Sequence, residues 1–381
     1  MESEICGRRE FLARSVGVVL GASMLMRSLP ARAAGADISA SLDQNSSVLI
    51  NDKPFFPFIS WKANVTDIAN NLALGINTFM GSATGDEATL AQAVAKAGAY
   101  YIASYDPTRA ADPPGTIGYY LPDEPDNNGP LPSALPQTQR VATTGKLVFE
   151  TFSHHYWAGA ADPPVGSKAV YPPYFANVDV IGTDVYPYAK FCGNKWISGA
   201  SVFDLQRALV QQANGKPTFQ WIEATPLGGS CADPVNPQLT APRIRAELWN
   251  AVAGGAKGLG LFTWANQGGT WGSFVVAPEI QQQIKTETAR IAALSNVLLS
   301  EPLPVRTRAQ TPLRASARVY GGQTYVFAVN NSPAPLTTSF AVPGVRAATA
   351  SVWQEGRSLK INHGQAMSDR FDAYGVHVYV V

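Results

Sequence analysis

Residues 117–126 read Ile-Gly-Tyr-Tyr-Leu-Pro-Asp-Glu-Pro-Asp, an apolar, aromatic run that breaks into three carboxylates and two prolines within five positions. Pro125 cannot continue a strand ladder, so Asp123 and Glu124 fall where a strand ends. A carboxylate at the mouth of a buried strand loses hydration, which raises its pKa and suits it to general acid work. Taken alone, the same residues also read as a solvated turn that caps a helix. A second acid, Glu223, closes residues 217–224 (Pro-Thr-Phe-Gln-Trp-Ile-Glu-Ala), an otherwise uncharged strand. Alone, it equally suits a helix N-terminus or a loop ion pair. Two carboxylates facing each other across a sugar are what glycosidic cleavage needs, one as proton donor and one as nucleophile or base.

Whether the two acids meet depends on the elements that carry them. Strand-like and helix-like segments alternate from residue 55 onward. Strands are predicted at 55–60, 76–80, 100–105, 117–121, 147–152, 178–185, 217–222 and 258–263. Helices are predicted at 65–74, 87–96, 135–143, 202–213, 243–253 and 278–298. Eight short strands alternating with helices over about 250 residues is the signature of a (β/α)8 barrel. Residues 106–114 and 159–173 carry little helical pattern, which weakens the third and fifth crossovers. An open doubly wound sheet is the alternative, but no Gly-x-Gly-x-x-Gly follows the first strand. Ahead of the barrel, residues 47–56 suggest a small hairpin turning at Asn51-Asp52. From residue 304 the texture changes to short β-rich runs at 304–309, 315–320, 324–330, 338–342, 349–353 and 374–380. These predict a small antiparallel β-sandwich. The expected division is a signal segment over 1–33, a barrel over 34–302 and a sandwich over 303–381.

Barrel chemistry sits at the C-terminal ends of the strands. Those ends carry Ser60-Trp61, Tyr105-Asp106, Asp123-Glu124, His154-His155-Tyr156-Trp157, Asp184-Val185-Tyr186, Glu223 and Trp264. Carboxylates and large aromatics dominate this rim, which suits a neutral, polyhydroxylated ligand. Strands four and seven stand across the barrel, so Glu124 and Glu223 are expected to face each other. Tyr186 either orients Glu223 or simply packs. Trp61, Trp157, Trp196 and Trp264 are candidate sugar platforms, because apolar sugar faces stack on indole, although each alone equally suits packing. His154 and His155 could bind hydroxyls, but the histidine spacing supports no metal site and no cofactor is expected. Gly228-Gly229 after strand seven is the sole pointer to phosphate handling.

Composition bounds the partners. Of 381 residues, 46% are hydrophobic and 15% charged, enough apolar material for a large core. A formal net charge of +1 argues against nucleic acid or an anionic membrane as the partner. Arg8-Arg9-Glu10-Phe11-Leu12 resembles the twin-arginine export motif. An apolar stretch at 15–26, too short to span a bilayer, and an Ala31-Arg32-Ala33 cleavage site follow it. A periplasmic or secreted monomer, free of the membrane once the signal is cleaved, is the expectation; an uncleaved signal anchor is the alternative. Cys6 would leave with the signal. Cys192 and Cys231 would remain on neighbouring rim loops, either as one disulfide or as two buried thiols.

With these residues in place, the chain resembles the clan A retaining glycoside hydrolases. That clan places an acid/base glutamate at the end of barrel strand four, commonly as Asn-Glu-Pro, a nucleophilic glutamate at the end of strand seven and a tryptophan at the end of strand eight. Asp123-Glu124-Pro125, Glu223 and Trp264 take those places. The tail, with Tyr325-Val-Phe-Ala-Val-Asn330 and residues 371–380, resembles the clan's accessory sandwich. The likeness implies that Glu124 protonates the leaving oxygen and Glu223 attacks the anomeric carbon. Water activated by Glu124 would then release the sugar with retained configuration. It further implies carboxyls roughly 5–5.5 Å apart. Asp123 departs from the pattern: asparagine can donate to a sugar hydroxyl, whereas an ionised aspartate only accepts. Its charge would also raise the pKa of Glu124. That departure leaves Asp123 as a rival for the acid and leaves open a carbohydrate-binding barrel that has lost catalysis; a transglycosylase with the same carboxylates is a second rival.

Overall fold

The computed structural model describes residues 38–127, 145–158, 171–192, 197–225, 238–267, 270–300, 302–303, 306–307, 312–342, 344–362 and 365–381. The chain opens with a three-stranded sheet of β1 (Ala40–Leu42), β2 (Val48–Ile50) and β3 (Lys53–Pro54). Asn51 and Asp52 take φ of 48° and 60° and join β2 to β3. Two successive positive φ values make the tight turn that favours a hairpin, as the Asn-Asp pair suggests. Ala40, Val48 and Ile50 pack on Ile117, Leu147 and Val180, so this sheet closes the end of the barrel where strands begin.

The barrel itself consists of β4 (Phe58–Ala63), β5 (Thr78–Ser82), β6 (Tyr100–Ser104), β7 (Thr116–Tyr120), β8 (Leu147–Phe152), β9 (Val180–Thr183), β10 (Thr218–Glu223) and β11 (Leu259–Phe262). They pair in that order, parallel throughout, and β11 closes on β4. All eight sequence-predicted strands are present, as the (β/α)8 reading requires. Their side chains alternate between interior and shell. On β10, Phe219 and Trp221 enter the interior cluster, Ile222 joins the shell, and Gln220 bonds Gln206 behind the sheet. Large rings fit inside because neighbouring strands lack a Cβ beside them. A Cβ on Gly182 would lie 2.2 Å from the Phe219 ring, and one on Gly260 2.1 Å from Trp221. The interior is therefore a packed aromatic core, and ligand chemistry is confined to its rim.

The shell holds α1 (Ile68–Ala73), preceded by a 3-10 turn at Val65–Asp67, then α2 (Glu87–Lys96), α3 (His155–Ala158) and α4 (Pro172–Asn177). It continues with α5 (Gly199–Gln212), α6 (Ala241–Gly254), α7 (Pro278–Ala293) and α8 (Ser295–Leu298). Residues 105–115 pass from β6 to β7 without a helix, as expected. The expected helix at 135–143 lies outside the described residues, as do the signal segment, Trp196, Gly228-Gly229 and Cys231. Beyond β11 the chain adds a hairpin, β12 (Trp264–Gln267) with β13 (Thr270–Phe274). Among the described residues no helix is long and apolar enough to cross a membrane.

The C-terminal strands are β14 (Pro302–Leu303), β15 (Arg306–Thr307), β16 (Leu313–Tyr320), β17 (Gln323–Asn330), β18 (Leu336–Ala341), β19 (Thr349–Val352), β20 (Arg357–Lys360), β21 (Ala366–Phe371) and β22 (Val376–Val380). They form a six-stranded sheet, β14-β16-β17-β22-β19-β20, and a three-stranded sheet, β15-β18-β21. Val326 and Ala328 of β17 face the smaller sheet, whereas Phe327 and Val329 face the barrel shell. There Phe327 stacks on Trp249 of α6 with centroids 6.2 Å apart. One apolar cluster thus runs from the barrel shell into the sandwich.

Candidate active site

Barrel strand four ends at Tyr120, and the turn that follows carries Glu124 with φ +48°. A glutamate is uncommon in the left-handed region, and such backbone persists only where its surroundings fix it. Here they do. The Glu124 N–H donates to Thr151 O on the next strand at 3.1 Å, and Glu124 O accepts from Asn127 N at 2.9 Å. Asn127 Nδ2 donates to Glu124 Oε2 at 2.8 Å, and Asn127 Oδ1 faces His155 Nε2 at 3.2 Å. Asp126, in the same turn, is buried and accepts from Ser153 N and Tyr171 Oη, both at 2.9 Å. The turn is thereby pinned to the end of β8.

The carboxyl partner of Glu124 is Asp184, which follows β9 and is hydrogen-bonded to it. Burial, then that hydrogen bond and the charges of Glu124, Asp123 and Asp126, hold the Asp184 carboxyl well above the usual range. Its Oδ1 is enclosed without a hydrogen-bond partner. Asp123 lies exposed on the turn. Its carboxyl is nonetheless pushed up to about 7, first by the loss of hydration and then by Glu124, with Lys62 opposing. Glu150, behind the site on β8, is raised well above its ordinary value by burial, while its bond from Thr151 N pulls the other way. The Tyr186 hydroxyl is also raised, by burial first and then by Asp184, Glu124, Asp123 and Glu223. That phenol stays neutral and lies in the field of acids from strands four, six and seven.

Glu223 ends β10 with none of its surface open. It accepts from the backbone N–H of Tyr188 at 2.6 Å and from that of Ala189. Burial pushes its carboxyl up to about 8 in spite of these donors, a hydrogen bond to Glu247 and the charge of Arg243. Glu247, on α6, is raised well above its ordinary value by burial and by Glu223. Neither Glu247 oxygen completes a hydrogen bond by strict geometry, so the two carboxyls are close and imperfectly aligned. Arg243 lies over the rings of Tyr188 and Tyr374 and donates to Tyr374 Oη at 3.1 Å, linking this pair to the sandwich.

The candidate sugar platforms are mostly enclosed. Trp264 is 2% exposed, stacks on Phe262 at 4.8 Å and donates its indole N–H to Trp61 O at 2.6 Å. Trp61 is 7% exposed and meets Tyr120 and Trp221 edge-on. Both rings are part of the floor beneath the acids. His154 is half-buried, its ring tilted between those of His155 at 4.2 Å and Phe191 at 4.7 Å. Among the described residues no group of three or more histidine, cysteine or acidic side chains is arranged to hold a metal. Cys192 is half-buried, and its expected partner Cys231 lies outside the described residues. Sequence reasoning passed over the pairing role of Asp184, although the residue stood at a strand end. It also missed Asn127, Glu247 and Arg243, which signal nothing until the turn and α6 are in place.

Residues 162–296 match the model of the β-galactosidase family Glyco_hydro_42. The matched segment is thus similar to part of a glycoside hydrolase domain. The matched segment holds β9, β10 and β11 with Asp184, Tyr186, Glu223 and Trp264, and it begins after Glu124. No curated protein matches the chain closely enough to count as a relative. Solved structures share the fold. An α-amylase from Geobacillus thermoleovorans bound to acarbose aligns with TM-score 0.56 at 11% identity, over 85% of this chain and 98% of its own. A family 27 β-L-arabinopyranosidase from Geobacillus stearothermophilus bound to arabinose aligns with TM-score 0.55 at 9% identity, over 85% and 96%.

Proposed function

We infer that the protein hydrolyses O-glycosidic bonds of a neutral oligo- or polysaccharide with retention of anomeric configuration. Glu124 is the acid/base and Glu223 the nucleophile. The observation that carries this reading is that Glu124, in the turn after strand four, and Glu223, at the end of strand seven, both act by their charge on the buried hydroxyl of Tyr186 and help to raise it. Asp184 does not take the place of Glu223. Hydrogen-bonded carboxyls leave no room for a sugar between them, whereas a retaining pair stands roughly 5–5.5 Å apart and an inverting pair about 6.5–9.5 Å. Asp184 is therefore an accessory of Glu124. Because Glu223 is enclosed, the anomeric carbon reaches it only if the backbone at Tyr188 and Ala189 yields as substrate enters. Asp123, at the open edge of the turn, and His154 are placed to meet hydroxyl groups.

Export by the twin-arginine route to the periplasm or beyond, and a Cys192–Cys231 bridge on the rim, complete the proposal. Both suit an enzyme working on glycans outside the cytoplasm. The test is hydrolysis of a panel of glycans and aryl glycosides by the wild type, Glu124→Gln and Glu223→Gln. Loss of about 10²–10⁴-fold in the first variant supports the acid role. A wild type that binds glycans and cleaves none would instead make the chain a binding barrel. Sugar transfer in preference to release into water would make it a transglycosylase.

A further inference from the structure

We propose that Asp184 is a positioning residue that shares one proton with Glu124 and passes it on when the leaving oxygen is protonated. The inference rests on Glu124 being the acid. A hydrogen bond between two carboxyls needs a proton, because an ionised carboxylate can only accept. The surroundings decide which partner holds it. Glu124 Oε2 receives the Asn127 amide at 2.8 Å, and that amide is held in turn by His155, so negative charge on Glu124 is supported. Asp184 Oδ1 is enclosed and receives no donor, so negative charge on Asp184 is not. The resting pair is Asp184–O–H donating to the Glu124 carboxylate. Asp123 and Asp126 on the turn and the neutral phenol of Tyr186 also face the pair, and Lys62 on β4 opposes the charge at Asp123. That excess of acids favours one shared proton over a second negative charge.

The step balances. As the glycosidic C–O bond breaks, its electron pair stays on the leaving oxygen, which takes a proton from Glu124. Glu124 takes the proton of Asp184, and Asp184 is left as a carboxylate. In the second half, water adds its oxygen to the anomeric carbon and its proton returns to the pair. Asp184 never touches the sugar.

The experiment compares wild type, Asp184→Asn and Asp184→Glu on glycosides of graded leaving-group ability, across pH. Asparagine still donates to Glu124 but has no proton to pass on. Asp184→Asn is expected to lose about 10²-fold in kcat/KM on poor leaving groups and less than about tenfold on dinitrophenyl glycosides, which need no acid. Its basic limb is expected to move to lower pH, and Asp184→Glu to restore both. Equal loss on every leaving group, or an unmoved pH profile, overturns the proposal. Infrared difference spectra of the resting protein give a readout that needs no turnover. One carboxylic-acid band present in the wild type should vanish in Asp184→Asn. If the band behaves so in a protein that cleaves nothing, the shared proton stands and the hydrolase reading falls. If the band is unchanged, the shared proton falls whatever the activity.

Discussion

Asp184 is hydrogen-bonded to Glu124 through their carboxyl groups, and this contact joins the end of β9 to the turn after β7. It places a proton donor beside the acid, while Thr151 O and Asn127 N hold the Glu124 backbone at φ +48°.

Replacing Glu124 by Gln keeps the volume and the Asn127 contact but removes the acid. Activity on glycosides with poor leaving groups is expected to fall about 10²–10⁴-fold, with little loss on dinitrophenyl glycosides. Steady-state kinetics with both substrate classes checks this. Unchanged far-ultraviolet circular dichroism excludes misfolding.

Glu150 supplies a prediction about stability. Its folded pKa lies above the unfolded value, so the folded state binds more protons between the two. Stability therefore falls as pH rises above the ordinary glutamate pKa, by up to about 1.4 kcal/mol per pH unit for one group. Glu150→Gln mimics the protonated carboxyl and is expected to remove that slope. Urea unfolding from pH 5 to 9 checks it, and a slope equal to that of the wild type would count against a neutral Glu150.

Much of this was legible in the chain. The alternation of Val, Ile and aromatic runs with helical segments marked all eight barrel strands, and Pro125 marked the end of strand four. Glu223 was found as the last residue of an uncharged strand, but its enclosure was not. That depends on the backbone N–H groups of Tyr188 and Ala189 and on a buried acid of α6, none of which has a local pattern. Strands β20 and β21 escaped because Arg-Ser-Leu-Lys and Ala-Met-Ser-Asp-Arg-Phe are polar edge sequences that draw their order from pairing. Trp264 was placed at the end of strand eight, whereas it opens the hairpin beyond it.

The floor of the site should be a matter of stability. Trp264→Ala is expected to cost about 3–5 kcal/mol, the range for deleting a buried large aromatic. Trp264→Phe should cost less. If denaturant midpoints barely move while KM rises sharply, Trp264 is a sugar platform after all.

Barrel and sandwich share one core through Trp249 and Phe327. Phe327→Ala is accordingly expected to cost about 3–5 kcal/mol and to shift a single unfolding transition. Near-ultraviolet circular dichroism and limited proteolysis should report the same midpoint. Two separated transitions would show that the sandwich folds on its own.

The central claim is that Glu223 attacks the sugar opposite Glu124. Incubation with a panel of 2-deoxy-2-fluoro dinitrophenyl glycosides, followed by peptide mass spectrometry, tests it most directly. A covalent glycosyl ester on Glu223, absent in Glu223→Gln, is the expected result. An ester on Asp123 or Asp184, or hydrolysis of natural substrate with inverted configuration and no ester, would contradict it.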